Sequence, residues 1–86
     1  MNFENLHNYY ETLVTDYLRE KHSDISDLEL LEDIACVALN QLPVRYIRHN
    51  VDFIFYMSPE ERTKMEEQVQ KAVKDAIKFV NNRNSG

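Results

Sequence analysis

The side chains with most to offer chemically lie close together. No acidic residue occurs between Asp33 and Asp52, and Arg45, Arg48 and His49 fall inside that gap. A guanidinium is a planar fork of donors suited to anionic oxygens, so this stretch makes a locally positive patch on a chain of net charge −5. The plainer reading is that both arginines are ordinary surface charges. A polyanion is repelled at long range by the overall charge, which argues against general nucleic-acid binding.

Catalysis finds no constellation. A nucleophile needs a base within hydrogen-bond reach, and Cys36 lies among Ile34, Ala35, Val37 and Ala38, where a buried thiol with little reactivity is expected. His7, His22 and His49 are scattered, and neither an HExxH nor a CxxC spacing occurs, so no metal is expected. The single glycine excludes the glycine-rich phosphate loops. Glu60, Glu61, Glu66 and Glu67 could supply general acid and base carboxylates, but beside Lys64, Lys71 and Lys74 they read as a solvated helix face. The expectation is a non-enzymatic protein without a cofactor.

Length sets the frame for any site. The chain has 86 residues, room for one domain over residues 1–86 and one thin core. A domain of this size buries only about 60% of its unfolded surface and commonly needs a disulfide, a metal or a partner subunit. One cysteine permits no intrachain disulfide, and nothing at the amino terminus has a secretory pattern, so a cytoplasmic setting is expected. No apolar run approaches the ~20 residues of a membrane span.

The elements that must position the patch can be read from periodicity. Leu6, Tyr10, Leu13, Val14 and Tyr17 recur at helical steps and predict a first helix from Phe3 to about Glu20. Ser26-Asp27-Leu28-Glu29 matches a capping box, opening a second helix with Leu28, Leu31, Ala35, Ala38, Leu39 and Leu42 on one face, widened by Ile34 and Val37, and ended by Pro43. Its apolar composition predicts the central helix. Val44 to Met57 is rich in β-branched and aromatic residues and predicts short extended segments. Ser58-Pro59-Glu60-Glu61 is a second capping box with proline at the first helical position. Met65, Val69, Ala72, Val73, Ala76 and Val80 follow as the stripe of a third helix, with Asn81 to Gly86 as a polar, frayed tail. The fold class expected is mostly all-α, three to four helices with a short extended segment before the last long one. Val51, Phe53, Phe55 and Tyr56 carry more apolar surface than one thin core covers, which predicts a homodimer interface there.

The run Asp33 to Ile47, D-I-A-C-V-A-L-N-Q-L-P-V-R-Y-I, resembles the late competence protein ComFB family, whose central motif reads roughly D-[VI]-x-x-x-A-L-N-x-L-P-P-x-Y-[VI]. Asp33, Ile34, Ala38, Leu39, Asn40, Leu42, Pro43, Tyr46 and Ile47 fall on it. Much of this is architecture: Leu39 and Leu42 as core, Asn40 and Pro43 stopping the helix and aiming the chain at Tyr46. Some members of the family bind zinc through cysteines just before the motif aspartate. Here that stretch reads Ser26 to Glu32 without cysteine, so zinc is not carried over. Val44 replaces the second proline, leaving the turn less rigid.

The resemblance implies a homodimer linked to DNA uptake, type IV pili or motility, and in some branches a receptor for cyclic dinucleotides. Such a messenger has two phosphates related by a twofold axis, and a twofold dimer presents Arg45, Arg48 and Tyr46 twice. Arg45, Arg48, Tyr46 and Asn40 are therefore the expected ligand residues, for cyclic di-GMP or cyclic di-AMP, with the signal passed to an unidentified protein partner. If the segment is extended, Arg45 and Arg48 face opposite ways, and Arg45 is favoured. The alternative is a homodimeric interaction module of the competence or pilus system with no small ligand.

Overall fold

The first helix starts where a side chain can close it. In the computed structural model, which describes residues 6–47 and 57–85, α1 runs from Tyr9 to Lys21, and Asn8 is its N-cap, its side chain accepting from the Tyr10 amide at 3.2 Å. The residues just before it are extended. His7–Asn8 (β1) pairs antiparallel with Tyr46–Ile47 (β2), His7 opposite Ile47 and Asn8 opposite Tyr46. The helix expected from Phe3 thus begins later, and Leu6 is exposed rather than part of the stripe. Asn8-Tyr9-Tyr10-Glu11 carries the start signal, an asparagine with a glutamate three residues on. The apolar spacing that reached back to Leu6 concealed it.

After a polar turn, in which the Ile25 amide donates to the His22 carbonyl at 3.1 Å, α2 spans Leu28–Gln41. Its cap is Asp27, whose Oδ1 accepts from the amides of Glu29 and Leu30, one residue later than the expected Ser26. A carboxylate meets two orphan donors and the positive end of the helix dipole at once. The helix ends at its C-cap Leu42, just before Pro43 as expected, while Asn40, expected to help stop it, lies inside the last turn.

The face that α2 buries is Ile34, Ala38 and, just past its end, Leu42. Ala38 and Leu42 of the expected stripe are thus buried, but Leu31, Ala35 and Leu39 are only half-buried and Leu28 is 66% exposed, so the stripe is rotated toward Ile34. Cys36 is exposed, which corrects the buried thiol expected from its apolar neighbours. It stands two residues from both Ile34 and Ala38, about 200° round a helix of 3.6 residues per turn, and so on the outer side.

The third helix, α3, spans Pro59–Ser85. Ser58 caps it through its hydroxyl, which accepts from the Glu61 amide at 3.1 Å. Met65, Val69, Ala72, Val73, Ala76 and Val80 are all buried, as the period predicts. This helix packs against both others, as α2 also does, but it contributes more buried side chains than α2, so the core is built mainly on α3. Tyr9, Tyr10, Val14 and Leu18 of α1 complete the same core with Ile47. The expected frayed tail is helical through Ser85. Arg83 Nη2 meets Asp33 Oδ2 of α2 at 3.4 Å, and its guanidinium lies over the Phe79 ring at 5.9 Å.

The described residues therefore form a small all-α domain of three helices joined by a two-residue strand pair. The extended reading of Val44 to Met57 holds at Tyr46–Ile47; residues 48–56 lie outside the described residues.

Candidate functional site

The segment leaving α2 is pinned by its backbone. The Arg45 amide donates to Asn8 Oδ1 at 3.0 Å, and the Arg45 carbonyl accepts from the Tyr9 amide at 2.7 Å. Asn8 Oδ1 thus serves two amides, one opening α1 and one in the motif segment. Sequence reasoning missed this residue as part of the site. Asn8→Ala leaves both amides without that acceptor and should lower stability by about 1–2 kcal/mol. Thermal melting of Asn8→Ala beside Asn8→Asp, which keeps the acceptor, checks this: a similar loss in both would refute it.

With its backbone held on α1, Arg45 sends its side chain to α3. Arg45 Nη2 meets Glu61 Oε1 at 3.1 Å, and both side chains are substantially exposed, 50% and 39%. Glu61 is the glutamate of the second capping box. Its amide serves that box, while its carboxylate engages Arg45, a contact that no local spacing announces. An exposed pair of this kind contributes roughly 0–1 kcal/mol, little enough for an incoming anion to compete.

Behind the pair stands Tyr10, buried on α1, whose Oη donates to Gln68 Oε1 of α3 at 2.7 Å. Burial raises its phenol above the ordinary value of 10.0; Arg45 opposes the shift and Glu61 adds to it. The folded state therefore holds this proton longer than the unfolded chain does. The contribution is intact below pH 10 and declines as pH rises from there through the folded value. Tyr10→Phe should show a shallower loss of stability above pH 10 than the parent in pH-scanned denaturation. Parallel curves would refute the assignment.

Of the expected ligand residues, Arg45 and Tyr46 are adjacent at the end of the motif, and Tyr46 is 63% exposed. Asn40 is directed elsewhere: its Nδ2 donates to the Cys36 carbonyl one turn back at 3.0 Å, with Cys36 Sγ at 3.7 Å. Arg48, together with Val51, Phe53, Phe55 and Tyr56 of the expected dimer interface, lies outside the described residues. Among the described residues no three His, Cys, Asp or Glu side chains are grouped as metal donors, and no helix is long and apolar enough to cross a membrane.

No curated protein and no solved structure matches the chain. The family comparison does: residues 7–84, from the start of β1 into the last turn of α3, match the model for late competence development protein ComFB. By a match covering nearly all of its length, including the motif segment that Asn8 holds in place, this chain belongs to the late competence development protein ComFB family.

Proposed function

We propose that this competence-related chain is a non-enzymatic, cytoplasmic regulatory protein that binds a cyclic dinucleotide, cyclic di-GMP or cyclic di-AMP, as a homodimer. It relays that signal to competence, type IV pilus or motility machinery. The observation that carries the reading is that successive residues of the motif segment expose a guanidinium at Arg45 and a phenol ring at Tyr46. These are the two chemistries that a phosphate and a base require. A twofold dimer would offer both twice, matching the symmetry of the messenger.

Support for the dimer comes from the thinness of the core and from Val44, Tyr46 and Phe79, large apolar side chains more than half exposed in the single chain. A small domain with such surface gains from a second subunit. Sedimentation should report twice the chain mass at micromolar concentration; a monomer there would remove the dimer from the reading.

Calorimetric titration with cyclic di-GMP and cyclic di-AMP tests the ligand. The expected outcome is saturable binding of one of them at about one ligand per two chains. Absence of binding to either leaves the second reading, an interaction module without a small ligand, which the exposure of Val44 and Tyr46 beside the motif turn favours.

A further inference from the structure

Away from the motif segment, α1 and α3 leave an open groove of about 450 Å³ between them. Its α1 wall is Leu13, Asp16, Tyr17, Glu20 and Lys21, spaced i, i+3, i+4, i+7 and i+8, so it is one continuous stripe just over two turns long. Facing it, Glu66 and Glu67 stand on α3, with Val69 beneath. The floor is apolar, with Val69 buried and Leu13 and Tyr17 half-buried. The rims are acidic. Asp16, Glu20, Glu66 and Glu67 bring four carboxylates against the single ammonium of Lys21 among the lining residues. Arg19 approaches Asp16 at 3.5 Å, and that pair is largely exposed, so it neutralises little.

Two carboxylate rims over an apolar floor match one kind of occupant. We propose that this groove docks a basic amphipathic helix of a partner protein, its apolar stripe seated on Leu13, Tyr17 and Val69 and its lysines or arginines meeting the four carboxylates. Two helices side by side leave the trough into which a third helix packs, and apolar anchors at i, i+3 or i+4, and i+7 are how such a helix is read. Charge complementarity selects the sign of the partner: an acidic helix would place like charges together across a partly desolvated groove. The inference goes beyond the ligand reading and holds whether or not a cyclic dinucleotide binds.

The test uses the full chain and a synthetic probe, a leucine–lysine peptide of about 14 residues, roughly four helical turns, with leucine at helical spacing. Amide shifts in a ¹H–¹⁵N titration should concentrate at Leu13, Tyr17, Val69 and Gln70. The double variant Glu66→Lys, Glu67→Lys should weaken binding about tenfold or more. Glu66→Gln with Glu67→Gln, which perturbs the helix less, should weaken it by a smaller factor. The same peptide with glutamate for lysine should not bind. Shifts spread over other faces, equal binding by a polylysine peptide without leucines, or an unchanged affinity in both double variants would overturn the proposal. So would concentration-dependent shifts of the groove amides without peptide, which would mean that a second copy of the chain fills it.

Discussion

Ile34→Ala should lower stability by about 2–5 kcal/mol, the usual cost of emptying a filled site in a core that only partly collapses. Ile34 is 1% exposed and belongs to the single cluster formed by all three helices. At about 4–8 °C per kcal/mol for a domain of this size, the melting temperature should fall by roughly 10 °C or more. Leu28→Ala is the matched control. The same deletion on the same helix falls at a position two-thirds exposed and should change stability by no more than about 0.5 kcal/mol. Far-UV circular dichroism melts of both variants decide the matter. Equal losses would mean that α2 presents its leucine stripe, rather than Ile34 and Ala38, to α3.

Arg45→Ala should weaken cyclic-dinucleotide binding by about tenfold to a hundredfold, the loss of one charge-assisted contact of roughly 1.5–3 kcal/mol. The melting temperature should move little, because the pair with Glu61 is exposed. The backbone bonds that hold the segment, Arg45 amide to Asn8 and Tyr9 amide to Arg45 carbonyl, do not involve the side chain. Glu61→Gln should act the opposite way. It removes the charge that competes with phosphate for the guanidinium and leaves the amide that Ser58 caps, so affinity should rise by up to about fivefold, the equivalent of 1 kcal/mol. Titration calorimetry on both variants separates the outcomes. Binding that survives Arg45→Ala unchanged places the site elsewhere on the chain. Binding lost in Arg45→Ala but unchanged in Glu61→Gln leaves the arginine in its role and removes the carboxylate as a competitor.

How much of this was legible beforehand depends on how local the information is. The six buried positions of α3, its start at Ser58-Pro59 and the stop of α2 at Pro43 follow from capping chemistry and a 3.6-residue period. Both act within a few residues, and the family motif runs along one contiguous segment. The rotation of α2 was a different matter. Its apolar residues wrap most of the way round, so periodicity could not choose between the stripe through Leu31 and Leu39 and the stripe through Ile34 and Ala38. Contact with α3 made that choice, and with it the exposure of Cys36 and the direction of Asn40. The surroundings of Arg45 were equally beyond local reading. Asn8 is 37 positions away and Glu61 is 16, and both also carry local capping roles that account for them completely in one dimension. Composition and spacing thus determined which residues could form helices and which could meet an anion. Only the packing of α1 and α2 against α3 decided which faces closed, because side chains distant in sequence share a surface only once the helices have buried their stripes together.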